Sequence, residues 1–229
     1  MRIFETDPDA KPRAAFSDDT VGRFHSGKLV DGLPASLSEW RVSTGDPEVA
    51  AAIAQLLGGT PVETDSTSEN FIDIETDTDK VKVVLSGADA ITSDLKLWNG
   101  SNLIHHCDGV DFLTPEEDKG TPCGCPRLME DRKAKAKSKR GPSPSIAVTF
   151  RLADDYDLGI FRFQTGSWKL AEVLYTVENA LDKVDGEALC SLELEHVEYT
   201  TKAGRDVSYR KPVIKVLKAW QDAIADPKH

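Results

Sequence analysis

No stretch of the chain approaches the ~20 consecutive apolar residues that a membrane helix requires. The first nineteen residues lack the apolar centre of a secretory signal, so cytoplasmic residence is expected. Cysteine is scarce too: four in 229 residues, too few for a disulfide framework. Internal repeats are missing, as are the motifs Gly-x4-Gly-Lys-Ser/Thr, Gly-x-Gly-x2-Gly, His-Glu-x2-His and Gly-x-Ser-x-Gly. No constellation asks for an enzyme. Positive charge is in deficit as well, with 28 Lys and Arg against 39 Asp and Glu, a net charge of −11. Residues 127–140 hold seven basic side chains and two acids, a net of +5, so the rest carries −16. A body that negative repels phosphate backbones and anionic lipid, which disfavours strong DNA binding by the chain alone and any membrane association.

What remains is enough for a folded protein, since 39% of residues are hydrophobic and 29% charged. Residues 1–20 are expected to be a mobile arm, with Phe4 and Phe16 as its possible docking points. Leu37–Val42 alternates apolar and polar residues, as a half-buried strand does. A helix is predicted next, capped by Asp46, with Pro47 in first position, Val49, Ile53, Leu56 and Leu57 on one face, and Gly58-Gly59 at its end. Phe71–Ile74 and Val81–Leu85 read as strands. Asn99-Gly100 between apolar alternations predicts a hairpin. Residues 109–144 read as loop, suspiciously long unless something staples it.

Beyond it, Ile146–Leu152 and Gly159–Phe163 are predicted strands. A helix from Ser167 carries Leu170, Val173, Leu174, Val177, Leu181 and Val184 and is expected to close at Gly186. Ala188–Tyr199 and Val207–Val216 are long strand candidates around the turn at Lys202-Ala203-Gly204. Pro212 makes the second an edge, and a short helix from Leu217 to Ala225 completes the chain. The expected class is therefore α+β: β-rich mixed sheets, two main amphipathic helices and a stapled central loop. The chain divides into the arm, an α+β half at 21–108, the loop at 109–144 and a second α+β half at 145–229, with the two halves able to form one domain.

The staple is suggested by His105-His106-Cys107 and, fifteen residues later, Pro122-Cys123-Gly124-Cys125-Pro126. Zinc favours four tetrahedral thiolate or imidazole ligands, and turns with Gly and Pro bring close-spaced ligands together. Cys107, Cys123 and Cys125 with His106, or else His105, make a Cys3His set whose full occupancy points to a structural zinc. Strand alternation sends one histidine inward and the other outward. Three unligated thiols in a loop are the bland alternative. Cys190 sits in an alternating strand and reads as core, while His25 and His196 are lone histidines. His196-Val197-Glu198 imitates a deaminase element, but there His-x-Glu precedes Pro-Cys-x2-Cys and here it follows Pro-Cys-x-Cys. The carboxylates at 73, 77, 79, 108, 111 and 116–118 read as solvated surface. Lys133, Lys135, Lys137, Lys139 and Arg140 form an aromatic-free basic run, either a solvated loop or an electrostatic contact to DNA phosphate or an acidic partner.

Several of these residues, taken in order, resemble one family. Gly22-Arg23, Gly27-Lys28 and the helix closed by Gly58-Gly59 are followed by Leu97-Trp98-Asn99-Gly100, Cys107-Asp108-Gly109, Pro122-Cys123-x-Cys125-Pro126, Leu158–Phe163 and Gly166. The order over residues 21–180 resembles the recombination directionality factors of large serine integrases in actinobacterial phages, and related metal-binding-like chromosomal proteins. Family members carry further cysteines near the positions of Leu103 and Arg140, so the resemblance makes His105 or His106 the replacement ligand. It implies a non-enzymatic control protein of prophage excision in the host bacterial cytoplasm. Such a factor binds the integrase, alone or on attachment-site DNA, alters the pairing of its carboxyl-terminal domains and coiled coils, and permits attL × attR excision in place of attP × attB integration. A monomer is expected. A zinc-dependent hydrolase and a DNA-bending accessory protein are the competing readings.

Overall fold

Each strong local signal becomes an element of the computed structural model, which describes residues 19–30, 33–184, 186–202 and 204–225. Most of the expected arm, with Phe4 and Phe16, lies outside the described residues. Strands β1 (Gly22–Val30) and β2 (Leu33–Thr44) pair antiparallel with an irregularity between His25 and Gly27. Helix α1 (Pro47–Leu57) starts where expected: the Asp46 carboxylate accepts from the Glu48 amide at 2.8 Å, and Gly58 caps the far end. Its buried face is Val49, Ala50 and Ile53, whereas Leu56 is exposed and Leu57 only half-buried, so the apolar stripe sits about one residue off its expected axis. Short strands β3 (Pro61–Glu63) and β4 (Ile72–Glu75) follow, then β5 (Lys80–Leu85).

Strands β6 (Ile91–Asn99) and β7 (Asn102–Cys107) form the expected hairpin, with its turn displaced by one residue. Asn99 pairs with Asn102, leaving Gly100 and Ser101 at the tip, and Gly100 takes the positive φ of 60° that the turn demands. The 109–144 segment is not all loop. It contains β8 (Phe112–Thr114) and a helix, α2 (Met129–Lys137), over the basic run. Periodicity could not reveal α2, because it has no apolar face and no buried residue. Alternating Lys and Ala favour helix, with Glu130 and Asp131 in the first turn and Lys135 and Lys137 in the last to complement the dipole.

Strands β9 (Ser143–Leu152) and β10 (Phe161–Thr165) precede α3 (Trp168–Leu181), whose cap Ser167 accepts from the Leu170 amide at 3.2 Å. This helix stops at Leu181, five residues short of Gly186, after Leu170, Leu174, Val177 and Leu181 have completed one buried stripe. Val173 points outward, and Val184 reaches the core from beyond the helix. Strands β11 (Ala188–Thr200) and β12 (Asp206–Ala219) form the long final hairpin, and α4 (Trp220–Ala225) ends the described chain, three residues later than the expected start at Leu217.

The sheet runs β12-β11-β5-β9-β10-β1-β2-β4-β3, with β6, β7 and β8 branching from β9. Among the described residues only the β1–β10 pair is parallel and the other neighbours run antiparallel, so the sheet is mixed. Strand β12, carrying Pro212, is at the edge as expected. Strand β9 is the splice: β10 lines one side, while β6 and then β5 line the other. One hydrophobic cluster draws on both halves of the sequence, centred on Phe24, Trp40, Phe150, Phe161 and Phe163. Phe24 and Trp40 meet their neighbours edge to face, with centroids 5.1 Å apart for Trp40–Phe163 and 5.6 Å for Phe24–Phe161, while Phe150 and Phe161 stack. The Asp79 carbonyl accepts from both Trp40 Nε1, at 3.1 Å, and the Leu194 amide, at 2.7 Å, tying β2 to β11. No helix among the described residues is long and apolar enough to cross a membrane.

Candidate metal centre

The β6–β7 hairpin ends in Cys107, and the backbone immediately reverses. Asp108 organises this turn, its Oδ1 accepting from the amides of Val110 and Asp111, both at 2.8 Å. Those two donors hold the Asp108 carboxyl below its usual range, the Asp111 amide first. The second turn is laid against the first: the Cys123 amide donates to the Val110 carbonyl at 2.8 Å, and Asp111 bridges Pro122. Between Cys123 and Cys125 the chain needs a φ of +68°, which Gly124 supplies without a side-chain penalty.

These two turns bring four donors together. One ligand atom from each of His105, Cys107, Cys123 and Cys125 lies within 4.8 Å of the others, a cluster that can hold a metal ion. His105 Nε2 is 3.1 Å from Cys107 Sγ and 3.5 Å from Cys125 Sγ, and the two sulfurs are 3.8 Å apart. Cys107 and Cys123 are buried with Leu95 in a small apolar cluster, flanked by Phe112 and Trp168. The Phe112 ring also packs on His105, centroids 4.8 Å apart. Burial pushes the Cys107 thiol well up and raises Cys125, while burial and then neighbouring His106 lower His105. Two buried thiols with a half-buried thiol and imidazole make a soft donor set, and a cation must displace the thiol protons to bind.

His106 is placed differently. Its Nε2 is 3.0 Å from Asp94 Oδ2 and its Nδ1 is 3.1 Å from Thr114 Oγ1, so both ring nitrogens are engaged on the opposite side of β7. Of the two histidines left open by the sequence, His105 is the one beside the cysteines. Cys190 is buried in β11 within the main core, where burial pushes its thiol to about 12. His25 bonds Ser43 and His196 bonds Ser208, both remote from the cluster in the hydrogen-bonding network.

Arg132 is the residue whose role sequence reasoning missed. It lies inside the basic run, yet its Nη2 donates to the Gly109 carbonyl at 2.7 Å and its Nε to the Pro126 carbonyl. It thus ties together the turns that follow Cys107 and Cys125. Spacing alone carried no signal, because nothing in Arg-Lys-Ala-Lys distinguishes a clamp from a solvated cation. Lys133 is also engaged, by Glu172 of α3, whereas Lys135, Lys137, Lys139 and Arg140 are exposed.

A family model described as Gp3-like, recombination directionality factor-like, matches residues 21–217, from just before β1 to near the end of β12. This chain belongs to the recombination directionality factor-like family. The match takes in the His/Cys cluster, α2 and most of the final hairpin, extending past the residue 180 at which the sequence resemblance stopped. No solved structure matches the chain. Membership in a recombination directionality factor-like family links the chain to DNA recombination.

Proposed function

We propose that this protein is a phage recombination directionality factor that binds a serine integrase and shifts it from attP × attB integration to attL × attR excision. Family membership over residues 21–217 carries the reading. Such a factor must bind the excision-competent arrangement of the integrase more tightly than the integrative one, since only that difference moves the outcome. A hairpin tip with Trp98, Leu103 and Ile104 exposed supports a protein partner, because exposed apolar side chains at one site favour such contacts. We place the protein in the bacterial cytoplasm, as a monomer.

The metal is proposed to be zinc, with His105, Cys107, Cys123 and Cys125 as ligands. A tetrahedral zinc sets its sulfurs about 3.8 Å apart, and sulfur from nitrogen about 3.5 Å, given Zn–S near 2.3 Å and Zn–N near 2.05 Å. The 3.8 Å between Cys107 and Cys125 and the 3.5 Å from His105 to Cys125 match those edges, while the 3.1 Å from His105 to Cys107 is shorter and would have to open slightly around the ion. Four protein donors fill the tetrahedron, so the ion supplies folding energy and leaves no open position for a hydrolytic water. That supports an accessory factor over a zinc hydrolase.

The deciding experiment is in-vitro recombination with a purified serine integrase. Adding this protein should raise attL × attR excision and depress attP × attB integration. An integrase that responds in neither reaction, while a mobility shift detects no complex with it, would overturn the reading.

A further inference from the structure

Helix α2 lies on the protein through one side only. Arg132, Lys133 and Ala136 are half-buried, while Lys135, Lys137, Lys139 and Arg140 face solvent. The two inward cations are the fasteners: Arg132 on the carbonyls of Gly109 and Pro126, Lys133 on Glu172. Among the described residues no carboxylate pairs with Lys135, Lys137, Lys139 or Arg140. The acids of α2 are confined to its first turn, so its carboxyl-terminal half and the residues just after it are uniformly positive on a chain of net charge −11.

We propose that this end of α2 is a docking surface for the phosphate backbone of duplex DNA, held in place by the metal centre through Arg132. The side-chain chemistry selects the occupant. A protein interface is anchored by buried aromatic or apolar groups, and between Lys133 and Arg140 the only spacers are Ala134, Ala136 and Ser138. Phosphate contacts need only Lys or Arg charges, carry no sequence information, and fix the position of a protein on a duplex. The acidic remainder keeps the interaction weak and confined to this face. This surface stands independently of the integrase reading.

The coupling to the metal follows from connectivity. Nothing in α2 is buried, so the helix keeps its place through side-chain fasteners rather than a core. The Gly109 and Pro126 carbonyls follow Cys107 and Cys125 by two residues and one. A cation that fixes the two cysteine turns thereby fixes both acceptors of Arg132, which acts as a positioning residue.

The test is fluorescence anisotropy of a labelled 30-base-pair duplex of arbitrary sequence with the full-length, zinc-loaded protein, from 25 to 200 mM NaCl. Binding at the lowest salt is expected, with a log–log salt slope of about −3 to −4 for four cations, a loss of roughly 100-fold between 50 and 200 mM. Lys135→Ala, Lys137→Ala, Lys139→Ala and Arg140→Ala combined should weaken binding about tenfold or more at 50 mM and flatten the slope, while alanine preserves the helix. Arg132→Ala, or zinc removal by chelation, should weaken binding severalfold although all four contact side chains remain, with circular dichroism reporting the retained sheet. An absent anisotropy rise at 25 mM, or one unaffected by the quadruple variant, overturns the proposal. Capture of poly-glutamate but not of the duplex assigns α2 to an acidic protein surface and overturns it equally.

Discussion

His105 and His106 are neighbours on β7 with their imidazoles on opposite sides of the strand: one lies 3.1 Å from Cys107 Sγ, the other 3.0 Å from Asp94 Oδ2. Only the first can be a ligand in this geometry. His105→Ala should therefore lower zinc affinity by more than the about 10–100-fold typical of losing an outer-shell partner. His106→Gln should retain stoichiometric zinc. Native mass spectrometry of both variants checks this, and equal zinc contents would refute the assignment.

Cys190 supplies the control. It is a buried core thiol that donates to the Ala188 carbonyl, at 3.7 Å. Cys190→Ser should leave zinc content unchanged and cost about 1–3 kcal/mol of stability, because a hydroxyl is costlier to bury than a thiol. Cys123→Ser should do the reverse in kind, lowering metal content first. Zinc stoichiometry with thermal melts separates the two; a fall in zinc for Cys190→Ser sinks the distinction.

Which parts of this molecule the sequence foretold depends on how each residue is read by its surroundings. Asp46-Pro47, Gly58-Gly59 and the stripe of α1 announce themselves locally, since capping and periodicity operate within one turn. The cysteine turns were equally visible, because ligand spacing is itself local. Choosing between His105 and His106 was not local: it depends on Asp94 and Thr114, twelve and eight residues away, which capture one ring. Arg132 was invisible for the same reason, its acceptors being backbone carbonyls at Gly109 and Pro126. Helix α2 escaped because it lacks the apolar stripe on which helix recognition rests, and its support comes from propensity and dipole alone.

The pH dependence of stability should carry a signature of His25. Burial first, then the Arg41 and Arg23 charges, lowers its imidazole from 6.5 to about 4. With the folded value below the unfolded one, the unfolded chain takes up the proton first as pH falls. The contribution is thus complete above pH 6.5 and is lost progressively towards pH 4. Urea unfolding at pH 7.0 and 4.5 should show His25→Gln losing about 2–3 kcal/mol less than the parent across that interval. Parallel losses in the two proteins would show that His25 contributes none of it.

Trp40 ties β2 to β11, which are not neighbours in the sheet order, since its indole N–H shares the Asp79 carbonyl with the Leu194 amide. Trp40→Phe keeps ring contacts with Phe24 and Phe163 but removes that donor and leaves space. A cost of about 1–3 kcal/mol is expected, and Trp40→Ala should reach about 3–5 kcal/mol. Denaturant midpoints decide it; a Phe variant as stable as the parent would mean the indole bond carries nothing.

Strand β9 has a consequence for how the chain is made. Strands β1, β5 and β6 leave the ribosome before residues 143–152 exist, yet β5 and β6 lie against β9 and β1 reaches it only through β10. Until that late segment arrives, the nascent chain must carry apolar strands with open edges, the state most prone to pair with the wrong neighbour. A messenger that stalls translation in the lysine codons at 133–139 would hold the chain at its stickiest moment. Expression of fragments ending before residue 165 should then yield aggregate.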